Sequence, residues 1–242
     1  MAQNVYDRAD FFAGYGRLAR SVRGLEGAAE WPAMRALLPA LSGRRIVDLG
    51  CGFGWFSRWA GAQGASCVLG IDVSENMLSR ARTETDSPVV SYLRADLESL
   101  ELPAEAFDLA YSSLAFHYVE DFARLVGVLF RALVPGGHLA FTIEHPIYMA
   151  PRNPGWLYRD DGHKTWPIDS YAIEGARVTD WLTNGVVKQH RTLGTTLNTL
   201  IGTGFTIRHI EEWRPTAEQV RAEPALADEL ERPMFVMVTA QR

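Results

Sequence analysis

The stretch Val47-Asp48-Leu49-Gly50-Cys51-Gly52-Phe53-Gly54 narrows most sharply what this chain can fold into. A short strand-like run at 45–49, apolar at Ile46, Val47 and Leu49, leads into three alternating glycines, and a helical pattern over 55–63 follows. A strand that stops in glycines and restarts as a helix opens a βαβ unit. Glycine permits the tight turn and a close backbone approach to a ligand, and the helix N-terminus offers free N–H groups. The spacing is G-x-G-x-G, and Trp55 stands where a dinucleotide fingerprint has its third glycine. That difference weakens a pyrophosphate cradle.

The same rhythm continues to residue 144. Strands are predicted at 66–71, 89–94, 107–112 and 138–143. Ser74 is placed to cap a helix reaching 84, with Glu75 suiting its positive end. Asp121 caps another, in which Phe122, Leu125, Val126, Leu129, Phe130 and Leu133 recur at helical spacing. Pro135-Gly136-Gly137 is expected to end that helix before strand five. Strands alternating with helices predict an α/β, doubly wound parallel sheet covered on both faces.

The flanks divide the chain into a helical leader (1–43), a core (44–144), an insertion (145–190) and a last helix with two strands (191–242). In the leader, Pro32, Met34, Leu37 and Leu38 mark a helix expected beside strand one. The insertion carries four prolines and Trp156, Trp166 and Trp181, and Asn184-Gly185 signals a hairpin. Its place after strand five, at the carboxyl edge of the sheet, favours a substrate lid over a subdomain that only buries its own aromatics. A formal charge of −5 without a Lys/Arg cluster argues against nucleic acid. No apolar run is long enough to span a bilayer and the start has no signal-peptide pattern, so no membrane partner is expected. Cys51 and Cys67 read as free thiols in the cytoplasm, and two cysteines are too few for a metal site.

Asp72 ends strand two, 22 residues after Gly50, where a carboxylate can accept both hydroxyls of a ribose. Asp96 follows strand three at the same edge, where it can accept from an exocyclic amine with Leu97 covering a base. The strings VDLGCGFG, GIDVSENML, RADLESL, FDLAYSSLAFHYVED and LVPGGHL, in that order, resemble the motifs of class I S-adenosylmethionine-dependent methyltransferases. The bacterial small-molecule enzymes of the ubiquinone and menaquinone type are nearest in character. The resemblance covers roughly 44–144 and extends to the final two strands. It implies a Rossmann-like seven-stranded sheet with its last strand antiparallel, S-adenosylmethionine as cofactor and S-adenosylhomocysteine as product. It also implies that Asp48, Gly50 and Gly52 hold the methionine end, and that Asp72, with Val73 beside it, takes the ribose. Met77 packs near the adenine, Asp96 and Leu97 hold that ring, and the Ser112 backbone lies near the methionyl group. Tyr15 or Tyr6 of the leader is expected at the cofactor's carboxylate end, although packing on the sheet explains these tyrosines equally well.

Methyl transfer needs in-line alignment, exclusion of water and, for oxygen or nitrogen acceptors, loss of a proton. His117 after strand four and His145 after strand five are the candidate bases. The simpler role for His117 is structural. Glu144 can orient His145 or bind a cationic acceptor, and His190-Arg191 closes the insertion. An aromatic wall favours a small, partly apolar acceptor, while Arg152, Arg159, Lys164 and Arg177 are available for a carboxylate. Two alternatives stand beside the transferase: a protein that binds the cofactor without transferring methyl, and an NAD-dependent dehydrogenase, against which Trp55 speaks.

Overall fold

A computed structural model describes residues 3–242. The leader folds into short helices α1 (Ala9–Tyr15), α2 (Ala19–Val22) and α3 (Trp31–Leu37). The alternating core follows as β1 (Arg45–Leu49), α4 (Trp55–Ala62), β2 (Cys67–Asp72), α5 (Glu75–Thr83), β3 (Val90–Arg94), β4 (Phe107–Ser113), α6 (Phe122–Ala132) and β5 (Leu133–Glu144). Residues 145–190 hold α7 (Pro146–Met149), a small ribbon of β6 (Leu157–Tyr158) and β7 (Lys164–Thr165), and the hairpin β8 (Gly175–Trp181) and β9 (Thr183–His190). The chain ends with α8 (Leu193–Thr203), β10 (Thr206–Glu212), α9 (Ala217–Ala222), α10 (Asp228–Glu231) and β11 (Phe235–Gln241).

The main sheet has seven strands in the order β3-β2-β1-β4-β5-β11-β10. β1 to β5 pair in parallel, and β11 runs antiparallel to both β5 and β10. The last strand is therefore antiparallel, as expected. Its residues bury both faces, as strands under helices on two sides must. Val47, Leu49, Val236 and Val238 join one core with α6 and Leu200 of α8. Ile46, Leu109 and Met237 join another with Phe56 of α4 and with Trp31 and Met34 of α3. Asp121 accepts the Arg124 N–H at 2.9 Å and starts α6, whose Leu125, Val126 and Leu129 are fully buried. Burying side chains of this size contributes about 1.5–3 kcal/mol each.

Two expectations are corrected. Helix α6 stops at Ala132, and Leu133 already pairs with Phe107, so Pro135-Gly136-Gly137 lies inside β5. Leu109 pairs next with His138, so these residues bulge out of the ladder, with Gly136 at φ +80° making the bend. In the insertion the hairpin forms, but Trp181 pairs with Thr183 and the turn residue is Leu182, at φ +59°. Gly185 sits in the irregular register beyond it. The tip is held by packing and a hydroxyl: Leu182 lies against Gly14 of α1, and Thr183 donates to Asp10 at 2.9 Å.

Candidate active site

The carboxyl ends of β1 and β2 and the loop after β3 open into one cavity of about 990 Å³. Asp48, Gly50, Gly52, Asp72, Val73, Met77, Asp96 and Leu97 line it together, and Tyr6 and Tyr15 reach it from the leader. Gly50 and Gly52 sit at φ +71° and +54°, where a side chain is strained. A Cβ on Gly50 would lie 2.3 Å from that of Ala115, whereas one on Gly52 meets nothing within 4 Å. The bare backbone at Gly52 therefore leaves open a place at the cavity wall. Helix α4 begins directly after it with no side-chain cap.

Three acids shape this end. Asp72 Oδ2 accepts the Gly52 N–H at 2.8 Å, and Oδ1 accepts the Ser74 N–H at 2.9 Å. The carboxylate thereby fixes the glycine loop against the start of α5, and each oxygen retains lone-pair capacity for a ligand hydroxyl. Burial pushes its pKa up, and the N–H bonds pull the other way. Asp48, buried and bonded by the Ser57 hydroxyl at 2.6 Å, is pushed up to about 7 by desolvation, with the Asp72 charge adding to the rise. An arriving cation would restore its charge. Asp96 Oδ1 accepts the Glu98 N–H at 3.0 Å and shapes the loop after β3.

Ser112 is corrected. It is fully buried and its hydroxyl donates to the Leu49 carbonyl at 2.8 Å, while Ser113 and Leu114 line the cavity instead. The side chains alternate along β4, and residue 112 falls on the inward-packed side.

Beyond β4 the cavity is lined by His117, Tyr118, Glu144, Tyr148, Trp181 and Lys188. The Glu144 N–H donates to His117 Nδ1 at 3.3 Å. Burial holds the His117 pKa well below its usual value, and Lys188 and Arg191 push the same way. A neutral ring accepting at Nδ1 carries its hydrogen on Nε2, so His117 presents a donor rather than a base. His145 is corrected more fully. It is buried and does not line the cavity. Its Nδ1 accepts the Ile147 N–H at 3.0 Å, capping α7, and Nε2 meets Glu212 at 2.8 Å. Pro146 starts a helix there, so the preceding histidine becomes its cap.

Of the four expected cations only Arg152 lines the cavity. Arg177 is spent on the carbonyls of Ala150, Ser170 and Ile173, and Lys164 pairs with Asp228. A buried cation that also reaches the cavity, Lys188, was missed. Its signal was parity: Val186, Lys188 and His190 alternate along β9, and all three are buried. The aromatics divide similarly. Trp181 faces the cavity, whereas Trp156 and Trp166 pack with Tyr148 around the Arg232 guanidinium at 4.3–5.2 Å.

The leader closes the roof. Gln3 pairs with Gly185 and Val187 of the hairpin, and Asp7 accepts from Ser74 and the Asn76 N–H at the start of α5. It thus straps the insertion to the start of α5 beside the glycine loop.

Sheet order and glycine cradle together define the class I methyltransferase fold. Residues 47–141 match the family described as methyltransferase domain. The crystal structure of an S-adenosylmethionine-dependent methyltransferase from Mesorhizobium loti superimposes with a TM-score of 0.88 at 62% identity, covering 90% of this chain and 100% of that one. A Listeria monocytogenes structure with 36% identity gives 0.81 over 89% of this chain and 98% of its own. A malonyl-[acyl-carrier protein] O-methyltransferase from Pectobacterium atrosepticum is 35% identical over 130 residues, 54% of this chain and 50% of that relative. The chain belongs to the S-adenosylmethionine-dependent methyltransferases and uses that cofactor. Among the described residues no helix is long and apolar enough to cross a membrane.

Proposed function

We propose that this enzyme methylates an oxygen, nitrogen or carbon atom of a small molecule held in the outer part of the cavity. One observation carries the reading. The cavity continues from the glycine loop past β4 to an aromatic wall, under a roof made by leader and hairpin. Cofactor and acceptor can therefore lie side by side away from water, which is most of what an in-line displacement needs.

In this reading Asp72 binds the ribose hydroxyls, with Val73 beside it. Asp96 binds the adenine amine, and Met77 and Leu97 pack on the ring. Asp48 and the backbone at Gly50 and Gly52 hold the methionine end, and Tyr15 closes over it. When bound, S-adenosylmethionine supplies an electrophilic methyl group on a sulfonium. His117 orients the acceptor through its Nε2–H, and the tyrosines and Trp181 exclude water. The formal charge of −5 favours a small acceptor over a nucleic acid. The free thiols of Cys51 and Cys67 fit the cytoplasm.

The test is incubation of the enzyme with methyl-labelled S-adenosylmethionine and a bacterial metabolite extract. Enzyme-dependent label in a low-mass product is expected. Label confined to protein or nucleic acid, or none above background, overturns the reading.

A further inference from the structure

The outer cavity holds a buried ion pair for which the reading above has no use. Lys188 Nζ donates to Glu144 Oε1 at 2.5 Å, with the two side chains only 4% and 14% exposed. The face of Trp181 lies 5.0 Å from the ammonium. Burying two charges in an aromatic wall costs desolvation that an apolar pair would avoid. The pair is also lopsided. Oε1 is taken by Lys188, while Oε2 has no hydrogen-bond partner among the described residues. Both residues line the cavity, and the Glu144 backbone is tied to His117.

We propose that Glu144 and Lys188 are the acceptor-recognition pair, selecting a molecule whose methylated atom is an O–H or N–H rather than an acid anion. The proposal rests on the methyl-transfer reading above. Lys188 is already neutralised, and Arg152, which also lines the cavity, is exposed to solvent, so a carboxylate or phosphate held at this buried wall would set a second anion against one ammonium. An O–H or N–H instead donates to Glu144 Oε2 and brings no charge. The remaining Lys188 N–H groups and the His117 Nε2–H supply donors to the acceptor's lone pairs. The step balances. The acceptor's lone pair forms the bond to the methyl carbon, the C–S bonding pair returns to sulfur as a neutral thioether, and the O–H or N–H proton passes to Glu144 Oε2. Glu144 gives it to water as product leaves. Glu144 is thus the base that the two histidines are not.

The experiment is an NMR titration of the S-adenosylhomocysteine complex with two isosteric probes, benzyl alcohol and benzoate. The wild type is expected to bind the alcohol about tenfold or more tightly than the anion. E144Q leaves Lys188 uncompensated and is expected to reverse that order. The double variant E144Q/K188M leaves no buried charge unpaired, so it provides a reading if the single variant does not fold, and it is expected to abolish the preference. Retained binding of S-adenosylhomocysteine shows that each variant is folded. Benzoate binding the wild type as tightly as the alcohol, no binding of either probe, or an order unchanged in the variants overturns the proposal. Failure of the wild type to bind S-adenosylhomocysteine overturns the methyl-transfer reading and this proposal with it.

Discussion

Replacing Asp72 with alanine separates a ligand-binding carboxylate from one that only caps a loop. In the structure its two oxygens hold the Gly52 and Ser74 N–H groups at 2.8 and 2.9 Å, and the carboxylate lies on the cavity wall. Hydrogen bonds to a charged group contribute about 1.5–3 kcal/mol each. Two ribose hydroxyls that share one carboxylate and recover part of their loss to water should be worth about 2–4 kcal/mol together. The expected result is a Kd for S-adenosylhomocysteine roughly 30- to 1,000-fold weaker by calorimetry. The two N–H groups left behind lower stability as well, by about 1–3 kcal/mol each if they stay dry. The titration is therefore run well below the variant's own Tm. Asp72→Asn, which keeps one oxygen acceptor, should fall between wild type and alanine. A folded alanine variant whose affinity lies within about threefold of wild type would refute the assignment of Asp72 to the ribose.

Three further outcomes are expected. Asp48 has a folded pKa of about 7 against an ordinary 3.8, so its contribution to stability is present below the unfolded value and is lost as pH rises through about 7. Asp48→Asn should therefore gain on wild type in chemical denaturation as pH rises through that window. If the cofactor's ammonium sits beside Asp48, affinity for S-adenosylhomocysteine should also rise toward neutral pH in wild type and stay flat in the variant. His145→Ala removes the cap of α7 and the contact with Glu212, and should cost about 1–3 kcal/mol in thermal unfolding. It should lower methyl transfer less than about tenfold, below the range of a lost general base. Gly50→Ala forces a side chain to φ +71° and within 2.3 Å of Ala115, and should lower Tm and weaken cofactor binding together.

That Asp48, Gly50, Gly52, Asp72 and Asp96 come together at one cavity was legible because the determinants are local. Asp48, Gly50 and Gly52 share one turn, and Asp72 and Asp96 each end or follow a strand whose place in a parallel sheet is fixed by the βα rhythm. The far end of the cavity, at Glu144 and Lys188, is assembled by docking. Lys188 meets Glu144 across 44 residues of chain, and that contact exists only because the hairpin folds back over β5. Placing both histidines after strands was right, but direction was hidden. Pro146 turned His145 into a helix cap, and the Glu144 N–H fixed the His117 tautomer. The Ser112 backbone was expected at the ligand, but Ser113 and Leu114, one and two residues further on, line the cavity. The Asn184-Gly185 signal found the hairpin but not its turn, because contacts from α1 and Asp10 hold Leu182 there instead.

The most direct test of the account is a calorimetric titration of the wild-type enzyme with S-adenosylmethionine, S-adenosylhomocysteine and NAD. Binding of both sulfur nucleotides, with no heat from NAD, is the predicted result. Binding of NAD with neither sulfur nucleotide would contradict it.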